Sequence, residues 1–371
     1  PTPAVAFLVG EYKADAGIVL TASHNPCEFN GIKIFSGDGY KLPDALEEQI
    51  EAIVLDHVDT PPVPVGGDLG TVSTAPNVVR DYVDHVKSTV PFSLDGLRIA
   101  IDCANGASCR TAETLFTELG AECHMLANEP NGVNVNDKCG STHMEGLIQY
   151  VKEHPVDAGV AFDGDADRCL MVDDQGNFVD GDFIMAICAM DMKSRGKLAG
   201  NAVVGTIMTN LGFQRFCEEN GMKFEATKVG DRYVLEEMRD KGYVIGGEQS
   251  GHIILLAHST TGDGELTAGM LLRTMAEKKC RMSELNDVYV RFPQVMVNIK
   301  ATPEEKARYK EDEYIAGFIE SQQQSLMGLG RVLVRVSGTE PLIRIMVEGR
   351  DEAAIAASAE RIAGKINERI H

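Results

Sequence analysis

Strand-like apolar runs that lead through a glycine-containing turn into a helix recur along the chain, and this order restricts the fold more than any other feature. The run Leu97–Asp102 precedes a helix predicted over Thr111–Leu119. The run Asn201–Thr206 precedes a helix predicted over residues 213–219. Repeats of strand, turn and helix predict parallel βαβ units, in which ligands bind at the carboxyl ends of the strands.

The C-terminal part has a different pattern. Two alternating runs, Arg331–Val336 and Leu342–Val347, flank the short loop 337–341 and predict an antiparallel hairpin. An alanine-rich helix is predicted over Glu352–Ile366, and residues 289–294 are a candidate hinge before this region. The chain therefore ends in a smaller α+β domain.

Size and charge exclude several classes of protein. With 371 residues the chain is too long for one ordinary core, so two to four domains are expected. A net charge of −21 repels phosphate backbones and predicts that the protein does not bind nucleic acid. No apolar run is long enough to span a bilayer, so no membrane partner is expected. Nine scattered cysteines predict reduced thiols and a cytoplasmic location.

Two short segments carry the most specific chemistry. Thr21–Pro26 offers the hydroxyl of Ser23 on a turn after an apolar strand, although serine, asparagine and proline also form ordinary polar turns. Asp163–Arg168 offers three carboxylates at alternate positions after the strand-like run Ala158–Phe162. In a nearly extended loop these carboxylates would point the same way, and such an oxygen cluster suits Mg²⁺. A metal beside a serine suggests phosphoryl transfer, whereas a solvated acidic turn is the simpler alternative.

Three further segments have both a functional and a simpler reading. Residues 246–252 form a glycine-rich loop in which Glu248 and Ser250 could bind sugar hydroxyls, although the pattern taken alone favours a structural turn. Residues 335–344 combine two arginines with a Ser-Gly-Thr loop and suggest a phosphate cradle. Residues 228–232 are best described as a polar turn that opens a helix.

Together these segments closely resemble the α-D-phosphohexomutase family. Its phosphoserine motif is matched by residues 21–26, its metal loop by 163–168, its sugar loop by 247–252 and its phosphate loop by 335–344. The resemblance covers essentially the whole chain. It implies an α/β multidomain architecture of three related mixed-sheet domains and a smaller C-terminal α+β domain around a central cleft. The implied domains are 1–85, 86–182, 183–292 and 293–371.

The resemblance also implies an intramolecular phosphotransferase of the isomerase class. One Mg²⁺ per active site, a hexose 1,6-bisphosphate activator, a hexosamine phosphate substrate and a possible homodimer are expected. The residue roles carried over are catalytic for Ser23, His24, Lys33, Arg168 and His252; metal-binding for Ser23, Asp163, Asp165 and Asp167; substrate-binding for Asn25, Arg232, Glu248 and Ser250; and phosphate-binding for Arg335, Ser337, Gly338, Thr339 and Arg344.

Residues 2–7 and 247–250 favour the bacterial glucosamine branch of this family. That branch implies interconversion of glucosamine 6-phosphate and glucosamine 1-phosphate through a phosphoserine and a 1,6-bisphosphate, which feeds UDP-N-acetylglucosamine and cell-wall synthesis. Three alternatives stay open: the mannose/glucose branch, a Mg²⁺ phosphatase with an aspartyl nucleophile, and a catalytically silent sugar-phosphate-binding protein. The chain departs from the family in Ala166, where many relatives have glycine.

Family members begin with a Gly-Thr-Asp-Gly-x-Arg-Gly type of segment, and nothing like it precedes Pro1. An active-site arginine and several strands of the first domain would belong to that segment. We therefore expect a longer gene product that contains the N-terminal part of domain 1.

Overall fold

The structure is a computed structural model that describes residues 1–326, 328–337 and 340–370. Its helices are α1 (Thr2–Glu11), α2 (Asp44–Val54), α3 (Val78–Thr89), α4 (Ala112–Glu118), α5 (Glu145–Glu153), α6 (Gly181–Ser194), α7 (Leu211–Glu219), α8 (Asp231–Lys241), α9 (Gly264–Lys278), α10 (Met282–Asn286), α11 (Pro303–Glu311), α12 (Glu313–Ser325) and α13 (Glu352–Ile370). Its strands are β1 (Ala16–Thr21), β2 (Gly31–Ser36), β3 (Arg98–Asp102), β4 (Glu122–Leu126), β5 (Ala158–Phe162), β6 (Cys169–Asp173), β7 (Phe178–Val179), β8 (Ala202–Thr206), β9 (Lys223–Thr227), β10 (Ile245–Gly247), β11 (Ile253–Leu255), β12 (Gln294–Lys300), β13 (Gly330–Val336) and β14 (Leu342–Gly349). Among these described helices, none combines the length and apolarity that crossing a bilayer would take.

The chain divides into two compact units. The first unit contains Pro1–Met208 and Gly221–Val288, and the second contains Thr209–Asn220 and Tyr289–His371. The four domain boundaries inferred from the sequence stay a prediction. Residues 209–220, which carry α7, fall in the third domain by those boundaries but pack with the C-terminal part of the chain.

Hydrogen bonds of one asparagine explain why α7 belongs to the second unit. The Asn210 side chain accepts from Phe292 N at 3.0 Å and donates to Phe292 O at 3.1 Å. The same amide donates to the buried carboxylate of Glu348 at 2.5 Å. Phe292, within the candidate hinge, is therefore hydrogen-bonded to Asn210 inside the second unit.

In the first unit, β1 and β2 form a two-stranded antiparallel sheet in which Val19 lies opposite Lys33. Helix α1 packs on this pair, and Ala6 and Val9 of the helix bury Phe35 of β2. Because successive strand residues face opposite sides, the pairing directs Lys33 and Phe35 to the same face of β2.

A five-stranded mixed sheet carries the acidic loop. Its strand order is β4-β3-β5-β6-β7; β3 pairs in parallel with β4 and β5, and the other two pairings are antiparallel. All five residues of β5 are buried, as is typical of a central strand covered on both faces. The predicted βαβ order is thus confirmed for this sheet, with an antiparallel extension that the sequence pattern did not indicate.

The remaining two sheets hold the other candidate loops. In the first unit, strands β11, β10, β8 and β9 form a sheet in which β8 pairs in parallel with both β9 and β10. In the second unit, β12, β14 and β13 form an antiparallel sheet covered by α13. The predicted C-terminal hairpin is therefore found. Helix α13 extends beyond the predicted end at Ile366 because Ile370 continues its buried stripe.

A buried carboxyl at the start of α9 should make stability depend on pH. Glu265 is fully buried and accepts a hydrogen bond from Thr111, and burial raises its pKa to about 8. Because the pKa is raised in the folded state, the contribution of neutral Glu265 to the free energy of unfolding is fully present below about pH 4.5. This contribution is lost as the pH rises through about 8. Glu265→Gln should therefore gain more than about 1 kcal/mol over the wild type between pH 5 and pH 9.

Urea unfolding at pH 5, 7 and 9 measures this difference. Glu113→Gln, at an exposed position of α4, is the control and should follow the wild type at every pH. Parallel stability curves for Glu265→Gln and the wild type would contradict the expectation.

Candidate active site

The serine loop begins where β1 ends. Ser23 has a positive φ of 53°, and its backbone N–H donates to Thr21 Oγ1 at 2.7 Å. Its hydroxyl is 3.4 Å from His24 Nδ1, and the His24 side chain is exposed. Partial desolvation beside the acidic loop and the neighbouring Arg168 lower the pKa of His24. The loop thus offers the Ser23 hydroxyl on a tight turn, with the exposed Asn25 two residues further on.

The acidic loop is a turn and not the nearly extended segment expected from the alternation of aspartates. It joins two antiparallel strands in which Phe162 lies opposite Cys169, so residues 163–168 have to reverse the chain direction. The reversal uses a hydrogen bond from Ala166 N to Asp163 O at 3.0 Å and a positive φ of 57° at Ala166. The three carboxylates converge because the loop turns.

The serine loop packs directly on the acidic loop at Gly164. A Cβ at this position would lie 2.5 Å from Ser23 O, which is closer than a side-chain carbon can approach. Asn136 also joins the two neighbourhoods, because its amide donates to Ser23 O and Asn25 O, each at 2.8 Å. The two segments singled out from the sequence are therefore brought into contact.

Gly164→Ala should reduce the phosphoryl-transfer rate about a hundredfold, because the added methyl must displace the serine loop by a large fraction of an ångström. Steady-state kinetics on hexose phosphates would measure the loss. Gly146→Ala is the matched control: its Cβ would meet nothing within 4 Å at an exposed position of α5, and the change should keep activity and stabilise by about 0.5 kcal/mol. Unchanged activity in Gly164→Ala would mean that the loop contact is dispensable.

The acidic loop has the donor atoms that a hard cation requires. Ligand atoms of Asp163, Asp165 and Asp167 lie within 4.8 Å of one another, and all three residues are buried. Within the described residues, one carboxylate oxygen of each has no hydrogen-bond partner. Three converging carboxylates with unused oxygens fit Mg²⁺, which binds few carboxylates and fills its shell with water or phosphate oxygens.

A lysine already balances part of this charge. Lys33 Nζ donates to Asp165 Oδ2 at 2.6 Å and to Asp167 Oδ2 at 2.8 Å, and Thr2 Oγ1 donates to Asp165 Oδ2 at 2.6 Å. Burial alone would lower the pKa of Lys33, but the two carboxylates outweigh it and raise that pKa. Lys33 thus lies on the carboxylates as a charged ammonium.

The other carboxyl groups respond to the same crowding. Burial and the charges of Asp167 and Asp165 raise the pKa of Asp163 well above its usual range, although Arg168 Nε is 3.9 Å from Asp163 Oδ2. Burial would also raise the pKa of Asp167, but the charges of His252 and Lys33 lower it to about 2. One carboxyl of the cluster is therefore short of positive charge, which is consistent with a cation site.

A buried histidine links the acidic loop to the start of α8. His252 Nε2 is 3.9 Å from Asp167 Oδ2 and 3.5 Å from Asp231 Oδ2, and the residue is only 4% exposed. Neither ring nitrogen of His252 has a hydrogen-bond partner among the described residues. Lys41 forms an ion pair with Asp231, so His252 lies between Asp167 and a carboxylate that already has a cationic partner.

The sugar-loop candidates surround the same helix start. Gly230 N donates to Glu248 Oε1 at 3.0 Å, which holds this carboxylate beside the first residue of α8. Ser250 is half-buried in the turn between β10 and β11. Arg232 is ion-paired with Asp44 and lies 2.9 Å from Glu236 Oε1. Residues 228–232, for which the sequence favoured an ordinary polar turn, therefore contact Glu248 and Asp44 in the first unit.

The phosphate-loop candidates belong to the second unit. Arg335 of β13 lies directly opposite Arg344 of β14 in the antiparallel register. Arg344 forms an ion pair with Glu340, and Ser337 N donates to Leu342 O at 2.9 Å. Two candidates of this loop, Gly338 and Thr339, lie outside the described residues. Like charges that face each other across a hairpin are unfavourable unless an anion lies between them.

Four residues at these positions escaped the sequence analysis: Thr2, Lys41, Asn136 and Asp231. Their partners lie far along the chain; Thr2 contacts Asp165 and Lys41 contacts Asp231, so no local pattern could identify them. Asp231 carried a weak signal, because it precedes Arg232 in a segment that had already been singled out.

Sequence comparisons identify the family. Profiles of the four phosphoglucomutase/phosphomannomutase domains, α/β/α domains I, II and III and the C-terminal domain, match residues 1–59, 80–176, 180–292 and 296–365. The chain is 53% identical over 371 residues to a phosphoglucosamine mutase of Caldanaerobacter subterraneus, covering all of this chain and 83% of that protein. It is 50% identical over 370 residues to that of Ruminiclostridium cellulolyticum, covering 82% of that protein. The chain belongs to the α-D-phosphohexomutase family.

Solved structures agree with this phosphohexomutase fold. A phosphoglucomutase/phosphomannomutase family protein from Burkholderia thailandensis superposes with a TM-score of 0.78 at 22% identity, over 95% of this chain and 77% of that chain. Aspergillus fumigatus N-acetylphosphoglucosamine mutase, solved in complex with GlcNAc-6P and magnesium, superposes with a TM-score of 0.73 at 18% identity, over 100% and 93% of the two chains. The predicted fold class of this phosphohexomutase is confirmed.

Proposed function

We propose that this phosphohexomutase interconverts glucosamine 6-phosphate and glucosamine 1-phosphate through phosphorylated Ser23 and a 1,6-bisphosphate intermediate. The observation that carries the proposal is the packing of the Ser23 loop on Gly164, within the loop of three converging carboxylates. The relatives of about 50% identity named phosphoglucosamine mutase support the choice of sugar. The product would feed UDP-N-acetylglucosamine and cell-wall synthesis.

Each transfer breaks one P–O bond and forms another. The phosphoryl group of Ser23 passes to the free hydroxyl of the sugar phosphate, the bond to Ser23 Oγ breaks, and the hydroxyl proton passes to a base. The bisphosphate then turns over, and its other phosphate returns to Ser23. His252 is our candidate for the base, because it is buried, lies 3.9 Å from Asp167 and has two ring nitrogens with no hydrogen-bond partner in the described structure.

Asp163, Asp165 and Asp167, together with the serine phosphate, would hold one Mg²⁺. When bound, this ion withdraws charge from the transferring phosphoryl group. Lys33 neutralises Asp165 and Asp167, since its ammonium donates to both carboxylates. Arg168 and His24 would stabilise the charge of the phosphoryl group near the serine loop.

The remaining candidates bind the sugar phosphate. The orientation of Glu248 is fixed by the hydrogen bond from Gly230 N, and its carboxylate would accept hydrogen bonds from sugar hydroxyls. The Ser250 hydroxyl would donate a hydrogen bond to a sugar oxygen. Asn25 and Arg232 would contact the substrate. The non-reacting phosphate would be bound by Arg335, Ser337, Gly338, Thr339 and Arg344. A hexose 1,6-bisphosphate activator, a homodimer and a cytoplasmic location stay predictions.

A mutase assay with Mg²⁺ and a trace of glucose 1,6-bisphosphate tests the proposal. Glucosamine, mannose and glucose monophosphates would be compared side by side. Fast interconversion of the glucosamine phosphates is expected. A preference for mannose or glucose phosphates would reassign the enzyme to the other branch, net release of inorganic phosphate would indicate a phosphatase, and binding without turnover would indicate a silent binding protein.

Arg344→Ala should raise KM about tenfold with little change in kcat. The side chain would bind a phosphate that is held equally in the ground state and the transition state, so its loss removes uniform binding. Steady-state kinetics on glucosamine 6-phosphate would measure the two constants separately. A fall in kcat at constant KM would instead assign Arg344 to the chemical step.

A further inference from the structure

One lysine of α11 donates hydrogen bonds to two backbone carbonyls of the phosphate loop. Lys306 Nζ donates to Ser337 O at 2.8 Å and to Glu340 O at 2.5 Å. These two carbonyls lie on either side of Gly338 and Thr339. An ammonium group carries three donors and no acceptor, so a single lysine can bind both carbonyls at once.

Local structure fixes the lysine in this position. Ala301, which follows β12, donates its N–H to Pro341 O at 2.9 Å and so ties the start of α11 to the end of the loop. A capping box then begins the helix: Glu305 N donates to Thr302 Oγ1 at 3.3 Å, and Thr302 N donates to Glu305 Oε2 at 2.8 Å. Lys306 comes directly after this capping box, so its reach to the loop is set by the fold.

Two arginines that face each other across the hairpin make the phosphate loop electrostatically unfavourable without a bound anion. Arg335 and Arg344 lie opposite each other on the hairpin, and their like charges repel in the absence of an anion. Arg344 is ion-paired with the side chain of Glu340, whose carbonyl is one of the two bound by Lys306. A ligand binds more tightly to donors that are already in place, because less conformational freedom is lost on binding.

We propose that Lys306 is a positioning residue that holds the carbonyl groups of Ser337 and Glu340 in place for binding of the non-reacting phosphate of the sugar. The inference rests on the proposed function, in which this loop binds that phosphate. Lys306 acts through the carbonyls of Ser337 and Glu340 and not by contact with the reacting atoms. Its loss should therefore weaken substrate binding without slowing the transfer step.

The test replaces Lys306 by methionine, which keeps the length of the side chain and removes the ammonium. KM for glucosamine 6-phosphate should rise about tenfold, the effect of losing about 1.4 kcal/mol of binding, while kcat stays within about twofold. Lys310→Met is the matched control, because Lys310 is an exposed lysine four residues further along α11. If only the positive field of the helix mattered, both variants would change KM equally.

The hydrogen bonds of Lys306 to the carbonyls of Ser337 and Glu340 are called the carbonyl clamp. Two further measurements distinguish a loss of this clamp from a failure of the proposed function and from a folding defect. Calorimetric binding of glucose 1,6-bisphosphate needs no turnover, and Lys306→Met should bind it about tenfold more weakly than the wild type. Lys306→Arg retains a cation with several donors and should restore both KM and affinity. If the methionine variant does not fold, Lys306→Gln replaces it and should show the same rise in KM.

Equal constants for Lys306→Met and Lys310→Met would overturn the inference, as would a loss confined to kcat or a raised KM in Lys306→Arg. If the wild type binds the bisphosphate but has no mutase activity, the proposed function fails, and the affinities of the variants still test the clamp.

Discussion

Ser23→Ala should lower kcat/KM at least about a thousandfold, because the alanine side chain has no oxygen to carry the phosphoryl group. The fold should hardly change. The hydroxyl contacts only His24, at 3.4 Å, among the described residues, and the backbone N–H that donates to Thr21 is kept. The free energy of unfolding should stay within about 0.5 kcal/mol of the wild type.

Steady-state kinetics and intact-mass spectrometry test this prediction together. The wild type incubated with glucose 1,6-bisphosphate should gain the mass of one phosphoryl group, and Ser23→Ala should not. Ser88→Ala, on helix α3, removes a hydroxyl of similar size and should behave as the wild type. Phosphorylated, active Ser23→Ala protein would mean that another residue carries the phosphoryl group.

Asp165→Asn should weaken Mg²⁺ binding at least about a hundredfold and reduce turnover to a similar degree at limiting metal, since even outer partners of metal ligands typically contribute ten- to a hundredfold. Asp165 is buried, and one of its oxygens has no hydrogen-bond partner in the described part of the chain. Its other oxygen accepts from Lys33 and Thr2, and an asparagine oxygen can keep part of these contacts. We therefore expect a folded protein with a defective metal site.

Calorimetric titration with Mg²⁺ gives the affinity without any need for turnover. Asp240→Asn is the control, because it removes one negative charge from an exposed position of α8 and so accounts for the change in net charge. Equal Mg²⁺ affinity in Asp165→Asn and Asp240→Asn would remove Asp165 from the metal site.

Local patterns predicted the elements of this fold but not their order in the sheets. The alternating runs of β13 and β14 and the continuous apolar run of β5 are visible in the sequence because each depends on neighbours a few residues away. The antiparallel placement of β6 beside β5 was missed because the acidic loop that joins them was expected to be nearly extended, whereas residues 163–168 reverse the chain. The turn escaped because it needs a positive φ at Ala166, and an alanine does not indicate that conformation.

The candidate site divides along similar lines. The acidic loop and the serine loop were singled out because their residues are adjacent in the sequence, and the structure brings them into contact at Gly164. The carbonyl clamp of Lys306 has no sequence signature, because a lysine bound to two backbone oxygens resembles any other lysine on a helix. Contacts to the backbone leave no pattern of side chains to detect.

The lysine that bridges Asp165 and Asp167 has a consequence for the response of the protein to a chelator. Lys33 is a counter-ion tethered to β2, so dilution does not lower its effective concentration as it lowers that of a dissolved ion. A zinc finger unfolds without its metal because the free energy of metal binding is also its free energy of folding. Here the Lys33 ammonium of β2 lies beside Asp165 and Asp167 whether or not a metal ion is bound. We therefore expect the protein to stay folded when a chelator removes an ion from the acidic loop.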